Sequence, residues 1–278
     1  MNILYKSTNL RIVMNATPIS DPRAANWLGV WTLYKREVRR FTKVYTQTMA
    51  APVITTLLFL AVFSLALGDR TARVVGGVPF LEFLAPGLIM MAIAQNAFAN
   101  TSSSIVIAKI QGNIVDTLMP PFTADELTLA IALGGATRGI VVGAIVGVAM
   151  IPFVPMGIHN IGFIAAQAFL ASLMLSLLGT IGGIWSEKFD HIAAVTNFVV
   201  TPLSFLSGTF YSIQRLPDAV QMVAHFNPFF YMIDGFRYGF IGASDANPMV
   251  GLAVMAGINI MLWTVCRWMF ATGYRLKD

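Results

Sequence analysis

The residues able to do chemistry in this chain are few and scattered. Its three histidines, His159, His191 and His225, fall in three separate connections between apolar runs, which is not the arrangement of a metal site or a nucleophilic triad. The single cysteine, Cys266, lies inside an apolar run, so neither an internal disulfide nor a thiol metal cluster is available. No Gly-x-x-x-x-Gly-Lys-Ser/Thr stretch exists and the dipeptide Gly-Lys does not occur, so the phosphate-cradling loop of a nucleotide hydrolase is missing. Energy from ATP would have to arrive through a partner. What remains is a set of uncharged polar residues inside apolar runs. Gln95, Asn96, Asn100 and Ser103 fall close to one helical face, and Asn197, Thr201 and Ser204 recur further along. Such residues either line a path or bond neighbouring helices. Apart from Arg267 near the end of the last run, Arg138 is the charged residue inside these runs; its expected role is an anchor near the start of a span, or a partner for Asp125 or Glu126, rather than a substrate contact.

The elements that carry these residues must be membrane helices. The chain has 278 residues, 56% hydrophobic and 11% charged, with a mean hydropathy of +0.72. A bilayer core needs about 20 apolar residues per helix, and runs over roughly 50–68, 83–106, 133–154, 161–185, 192–210 and 248–270 supply six. A transmembrane barrel would alternate with period two, which Ile140-Val-Val-Gly-Ala-Ile-Val-Gly-Val does not. The expectation is an all-α polytopic protein: a segment 1–49 that leads into a six-helix membrane domain over 50–278. The leading segment lacks the apolar core and cleavage site of a secretory signal, so the first span is expected to be retained.

Lysine and arginine counts orient it. Eight precede the first span, Lys6, Arg11, Arg23, Lys35, Arg36, Arg39, Arg40 and Lys43, and Lys109, Lys188, Arg267, Arg275 and Lys277 bring that face to 13; Arg70, Arg73, Arg215 and Arg237 give the other face four. Both termini are expected on the cytoplasmic side. Before the first span, Trp27, Trp31, Tyr34, Val38, Phe41 and Tyr45 recur at helical spacing with basic residues between them, the pattern of an amphipathic helix at a membrane surface. After the second span, residues 109–126 predict a short surface helix that ends at Pro120-Pro121. Residues 211–247 are too apolar for a solvated loop and predict a segment that re-enters the outer leaflet. Gly143 and Gly147 form a small-xxx-small packing pair in the third span.

Three stretches carry a family resemblance: Thr201-Pro-Leu-Ser-Phe-Leu-Ser-Gly-Thr-Phe-Tyr, then Leu216-Pro217, then Asn227-Pro-Phe-Phe-Tyr-Met-Ile-Asp-Gly-Phe-Arg-Tyr-Gly. With the six-span topology they resemble the ABC-2 type exporter permeases, and among these the compact members without an extra external domain. Thr209 stands where that signature usually has a smaller or aliphatic residue. The resemblance implies a transporter subunit in the bacterial inner membrane, not an enzyme. It implies two permease copies, expected as a homodimer, and two separate ATPase subunits that bind ATP and Mg, with no cofactor in this chain and no nucleic-acid partner. It places the path at the permease dimer interface along spans two and five. It also implies that Gly112, Asn113, Ile114, Asp116 and Leu118 sit in a groove of the ATPase, and that Pro217, Pro228, Tyr231 and Arg237 belong to an external gate. The expected cargo is amphipathic, lipid-linked or drug-like, moved outward, because the polar lining read from the sequence is uncharged. An ATP-independent secondary carrier or scramblase, and a non-transporting scaffold for an ATPase, are the competing readings.

Overall fold

The computed structural model describes residues 26–67 and 78–276; the basic residues Lys6, Arg11, Arg23, Arg70, Arg73 and Lys277 lie outside these. Eleven α-helices follow one another: α1 (Trp27–Thr42), α2 (Ala51–Leu67), α3 (Phe80–Ile110), α4 (Ile114–Leu118), α5 (Ala124–Met150), α6 (Ile161–Trp185), α7 (Phe189–Val195), α8 (Thr201–Leu206), α9 (Asp218–His225), α10 (Pro228–Ile241) and α11 (Pro248–Thr272). No strand occurs among the described residues. Among the described residues six helices are long and apolar enough to cross a bilayer: Thr46–Ala66, Phe80–Ile110, Ala124–Met150, Ile161–Trp185, Phe189–Leu206 and Pro248–Thr272. The number matches the six apolar runs.

Two of these spans contain a wide, π-type turn, Thr46–Ala50 before α2 and Thr196–Val200 between α7 and α8. In both, a proline follows the turn by two residues, Pro52 and Pro202. A proline has no N–H for the carbonyl four residues earlier, and a widened turn relieves the resulting clash.

The third span differs from expectation. It begins at Ala124 rather than near 133, because Thr123 and Glu126 form a capping box. Thr123 Oγ1 accepts from the Glu126 N–H at 3.2 Å, and Glu126 Oε2 accepts from the Thr123 N–H at 2.8 Å. Arg138 therefore lies about 21 Å along the axis from the start of the helix, at 1.5 Å per residue. It is a mid-helix residue, not an anchor at the end.

α3 is the centre of the protein. Of its most apolar stretch 78% is buried, against 11% for each of the two spans with π turns, so α3 is enclosed by protein while those two are peripheral. Glycines let α5 and α6 approach it. A Cβ on Gly139 would lie 2.9 Å from the Ile93 carbonyl oxygen, and one on Gly179 would lie 2.5 Å from that of Phe98. Gly143 faces Ile93 and Gly147 faces Ile89, which bears out the packing role of that pair. Thr101 Oγ1 donates to the Ser176 carbonyl at 2.8 Å and Ser176 Oγ to that of Ala132 at 2.7 Å, tying the three helices together. On the far side α11 closes on α6, where Asn259 Nδ2 donates to the Leu170 carbonyl at 3.0 Å and Cys266 is buried against Leu177.

Candidate functional site

α1 packs across the starts of α5 and the end of α3, with Val30, Leu33, Glu37 and Phe41 buried beneath it. The aromatic stripe divides: Trp27, Trp31 and Tyr45 are 67%, 58% and 62% exposed, whereas Phe41 is buried and Tyr34 hydrogen-bonds Thr137 of α5 at 3.0 Å. The buried carboxylate was not anticipated. Glu37 pairs with Arg36 at 3.3 Å and Arg40 at 3.4 Å, and accepts from Ser104 Oγ at 2.8 Å. Gly134 of α5 leaves room for its stem.

From this carboxylate polar contacts run in two directions. Arg36 Nη1 donates to Thr117 Oγ1 of α4 at 3.0 Å. Arg40 Nη1 donates to Ser103 Oγ at 3.2 Å, and its Nη2 to the Asn100 carbonyl and, at 3.0 Å, to Asn100 Oδ1. Burial pulls the Arg40 guanidinium down from its ordinary value while Glu37 opposes the shift. A continuous polar chain thus joins the surface helix α4 to the polar face of α3 through α1.

That face of α3 lines a cavity of about 680 Å³ between α1, α2, α3 and α5. Gln95, Asn96, Asn100 and Ser103 all line it, as read from their spacing, and so do Arg40 and Arg138. Two guanidinium groups therefore share this lining with the uncharged residues read from the sequence. Arg138 Nη2 donates to Asn96 Oδ1 at 3.1 Å. It does not pair with the carboxylates proposed for it: Asp125 binds Arg267 at 3.4 Å and Trp263 Nε1 at 3.2 Å, while Glu126 is spent on capping. Asn197, Thr201 and Ser204 do not reach this cavity. Asn197 is exposed on the outer face of the fifth span, and Ser204 is buried with its hydroxyl bonded to the Val200 carbonyl at 2.7 Å.

The short helix after α3 divides its residues. Gly112, Asn113 and Asp116 are exposed, as are Val115 and Met119, which sequence reading did not single out. Ile114 and Leu118 instead turn inward and pack against the apolar cluster under α1. Gly112 holds a φ of +72°, which a side chain would strain, and this sharp turn sets α4 off the end of α3. Between α4 and α1 runs a wider groove of about 1310 Å³ whose walls include Lys35, Arg39, Gln111 and Asp116.

At the opposite end, residues 211–247 form α9 and α10. Met222 and Val223 of α9 and Phe226 just after it are 66%, 69% and 85% exposed, whereas Phe229, Phe230 and Phe236 of α10 are buried. Pro217 immediately precedes α9 and Pro228 occupies the first turn of α10, positions where a missing N–H costs nothing. Asn227 caps that helix and ties it to Ser207 at 2.7 Å. Tyr231 is half-buried against Phe230 and Gly251. Arg237 is fully enclosed. Its Nε donates to the Phe83 carbonyl at 3.2 Å and its Nη2 to that of Gly208 at 2.7 Å, with the guanidinium 3.7 Å above the Phe83 ring. It forms no ion pair with Asp234, which accepts instead from the Asp245 and Ala246 N–H groups at 2.9 and 3.0 Å. Gly87 allows this junction, since a Cβ there would lie 2.8 Å from the Thr209 carbonyl oxygen.

The described residues thus form a helical chain with a polar cavity on its central span, a short helix linked to that cavity through α1, and Arg237 joining α10 to α3 at the other end. The chain belongs to the ABC-2 type transporter family, whose pattern matches residues 29–241. It is 35% identical over 252 residues to the inner membrane transport permease YadH of Escherichia coli K12, covering 91% of this chain and 98% of that one. Nodulation protein J of Rhizobium leguminosarum bv. viciae is 25% identical over 236 residues, 83% of this chain and 88% of that protein. Its counterpart in Rhizobium meliloti is 23% identical over 233 residues, 84% and 86% of the two chains.

Proposed function

We propose that this chain is the membrane half of an ABC exporter of the inner membrane, drawing power from a separate ATPase subunit that binds ATP and Mg. It works as a homodimer, with both termini cytoplasmic, and moves or flips an amphipathic molecule outward. The observation that carries the reading is the polar chain from Thr117 through Arg36, Glu37 and Arg40 to Asn100 and Ser103. A push on α4 has a route to the cavity that does not pass through lipid.

The groove between α4 and α1 receives the ATPase, which grips Gly112, Asn113, Asp116, Val115 and Met119. Ile114 and Leu118 transmit the load inward through packing. α1 lies along the membrane surface with Trp27 and Trp31 in the headgroups, where each nearby lysine or arginine adds about 1 kcal/mol of attraction to anionic lipid. ATP closes the ATPase pair, and because the closed pair fits one state of the permease better than the other, it shifts the permease toward that state. The second copy packs on the peripheral fifth span, where Asn197 and Thr201 face the partner across the dimer seam. α9 and α10 re-enter the outer leaflet and close the external end. In that gate Pro217 and Pro228 start helices, Tyr231 packs between them and Arg237 is a staple with no contact to cargo.

The coupling surface is tested by Asp116→Lys combined with Met119→Glu, two exposed positions whose change should leave the melting temperature where it was. Co-purification with the ATPase subunit is expected to fall by about tenfold, which is about 1.4 kcal/mol of lost interface. Full association of the double variant, with undiminished stimulation of hydrolysis, would remove α4 from the interface.

A further inference from the structure

The cavity beside α3 has two guanidinium groups, Arg40 and Arg138, in its wall. Arg138 lies near the middle of a membrane span, about 21 Å from one end of α5 and about 18 Å from the other. A guanidinium at that depth is expensive and marks a functional position unless it is paired. Among the described residues no carboxylate lies within ion-pair distance of it, and its one hydrogen-bond partner is the amide oxygen of Asn96. Its Nε is buried without a hydrogen-bond acceptor, and so is the Asn100 Nδ2 on the same wall. Arg40, the second guanidinium of the lining, shares the single carboxylate of Glu37 with Arg36, so this corner keeps an excess of positive charge.

The rest of the wall tells what carries the anion. Phe41, Phe59, Leu88, Met91 and Ala92 line the same cavity. From Leu88 to Ile107 it follows α3 for about 28 Å, close to the thickness of a hydrocarbon core. Val44, Gln47, Ala51 and Thr55 lie on its wall and are themselves exposed, so it opens sideways between the ends of α1 and α2. A free inorganic anion would use the two arginines and leave the long apolar wall unused. An acyl-bearing anion uses both.

We propose that the cavity between α1, α2, α3 and α5 binds an anionic phospholipid, its phosphate held by Arg40 and Arg138 and its acyl chain laid along Leu88, Met91 and Phe59. This deepens the reading of the cavity as part of the translocation path and rests on it. The test uses the purified full-length chain without any ATPase, so a failure here is read separately from a failure of ATP coupling. Native mass spectrometry compares retention of phosphatidylglycerol with diacylglycerol of the same acyl chains, and with inorganic phosphate as competitor. Phosphatidylglycerol is expected to be retained about tenfold better than diacylglycerol, the scale of one charge-assisted contact. Arg138→Gln and Arg40→Gln should each bring it close to the diacylglycerol level, whereas Arg138→Lys, which keeps the charge and controls for folding, should retain most of the preference. Equal retention of the two lipids, wild-type retention by Arg138→Gln in a chain that melts normally, or full displacement by millimolar phosphate would overturn the proposal, the last by making a free anion the ligand.

Discussion

Arg237→Met is expected to unfold the α9–α10 end of the protein and to lower its thermal stability more than any surface change. The substitution keeps an apolar stem of similar reach but leaves the Phe83 and Gly208 carbonyls without their donor. An orphaned buried acceptor costs about 1–3 kcal/mol, and two of them beside a lost cation–π contact approach the whole stability of a marginal fold. Pro86 sharpens the effect: it cannot bond the Glu82 carbonyl, so the first turns of α3 already lean on outside partners. Lysine is expected to rescue only part of the loss, since one ammonium cannot reproduce two divergent guanidinium bonds and the stacking on Phe83. Melting in detergent, followed by tryptophan fluorescence, checks the series. A midpoint within about 1 °C of wild type for Arg237→Met would mean that the staple is not what holds α10 to α3.

Glu37→Gln is expected to have the largest effect on function. Glu37 is 1% exposed and, among the described residues, is the one carboxylate that pairs with Arg36 and Arg40. Removing one partner of a buried pair typically costs about 3–5 kcal/mol, because the charge left behind has lost its compensation. Stability should return when Arg40→Gln is added, since the stranded charge goes too. Transport should not return, because the link from α4 to Asn100 remains cut. The readouts are the melting temperature and ATP-driven transport of the single and double variants with the ATPase subunit present. Recovery of transport together with stability in the double variant would reduce Glu37 to a structural role.

How much of this could be read from the residues depended on the range of the interaction. The six spans, the short helix ahead of Pro120-Pro121 and the packing of Gly143 follow from local apolar length, a ring that ends helices and a missing side chain. The face formed by Gln95, Asn96, Asn100 and Ser103 survived because α3 is an unbroken helix across that stretch. Asn197, Thr201 and Ser204 lie in and after the π turn at Thr196–Val200, where α-helical spacing no longer holds, and they do not line the cavity. The proline that causes it was visible, but the widened turn was not deduced. The start of the third span was missed because Asp125 and Glu126 lower the hydropathy there, although the spacing of Thr123 to Glu126 is itself a capping signal.

Burial of charge was the least legible property. Glu37 looks like one more polar residue in a basic helix, and only the approach of Gly134 and Ser104 from two other helices encloses it. Arg237 carries no local sign that it will bond carbonyls 29 and 154 residues away rather than the nearby Asp234. Arg138 was placed at the edge of a span by an error of nine residues in where α5 begins, and that error hid a positive charge in the wall of the cavity.

Movement through this chain is expected to need a second protein. Full-length permease in liposomes, with and without its ATPase subunit, is loaded with a headgroup-labelled anionic phospholipid, and exposure of the label to an external quencher is followed after MgATP is added. Movement is expected only when the ATPase subunit and MgATP are both present, and is expected to be lost in the Asp116→Lys, Met119→Glu double variant. Movement at the same rate through the permease alone would contradict this.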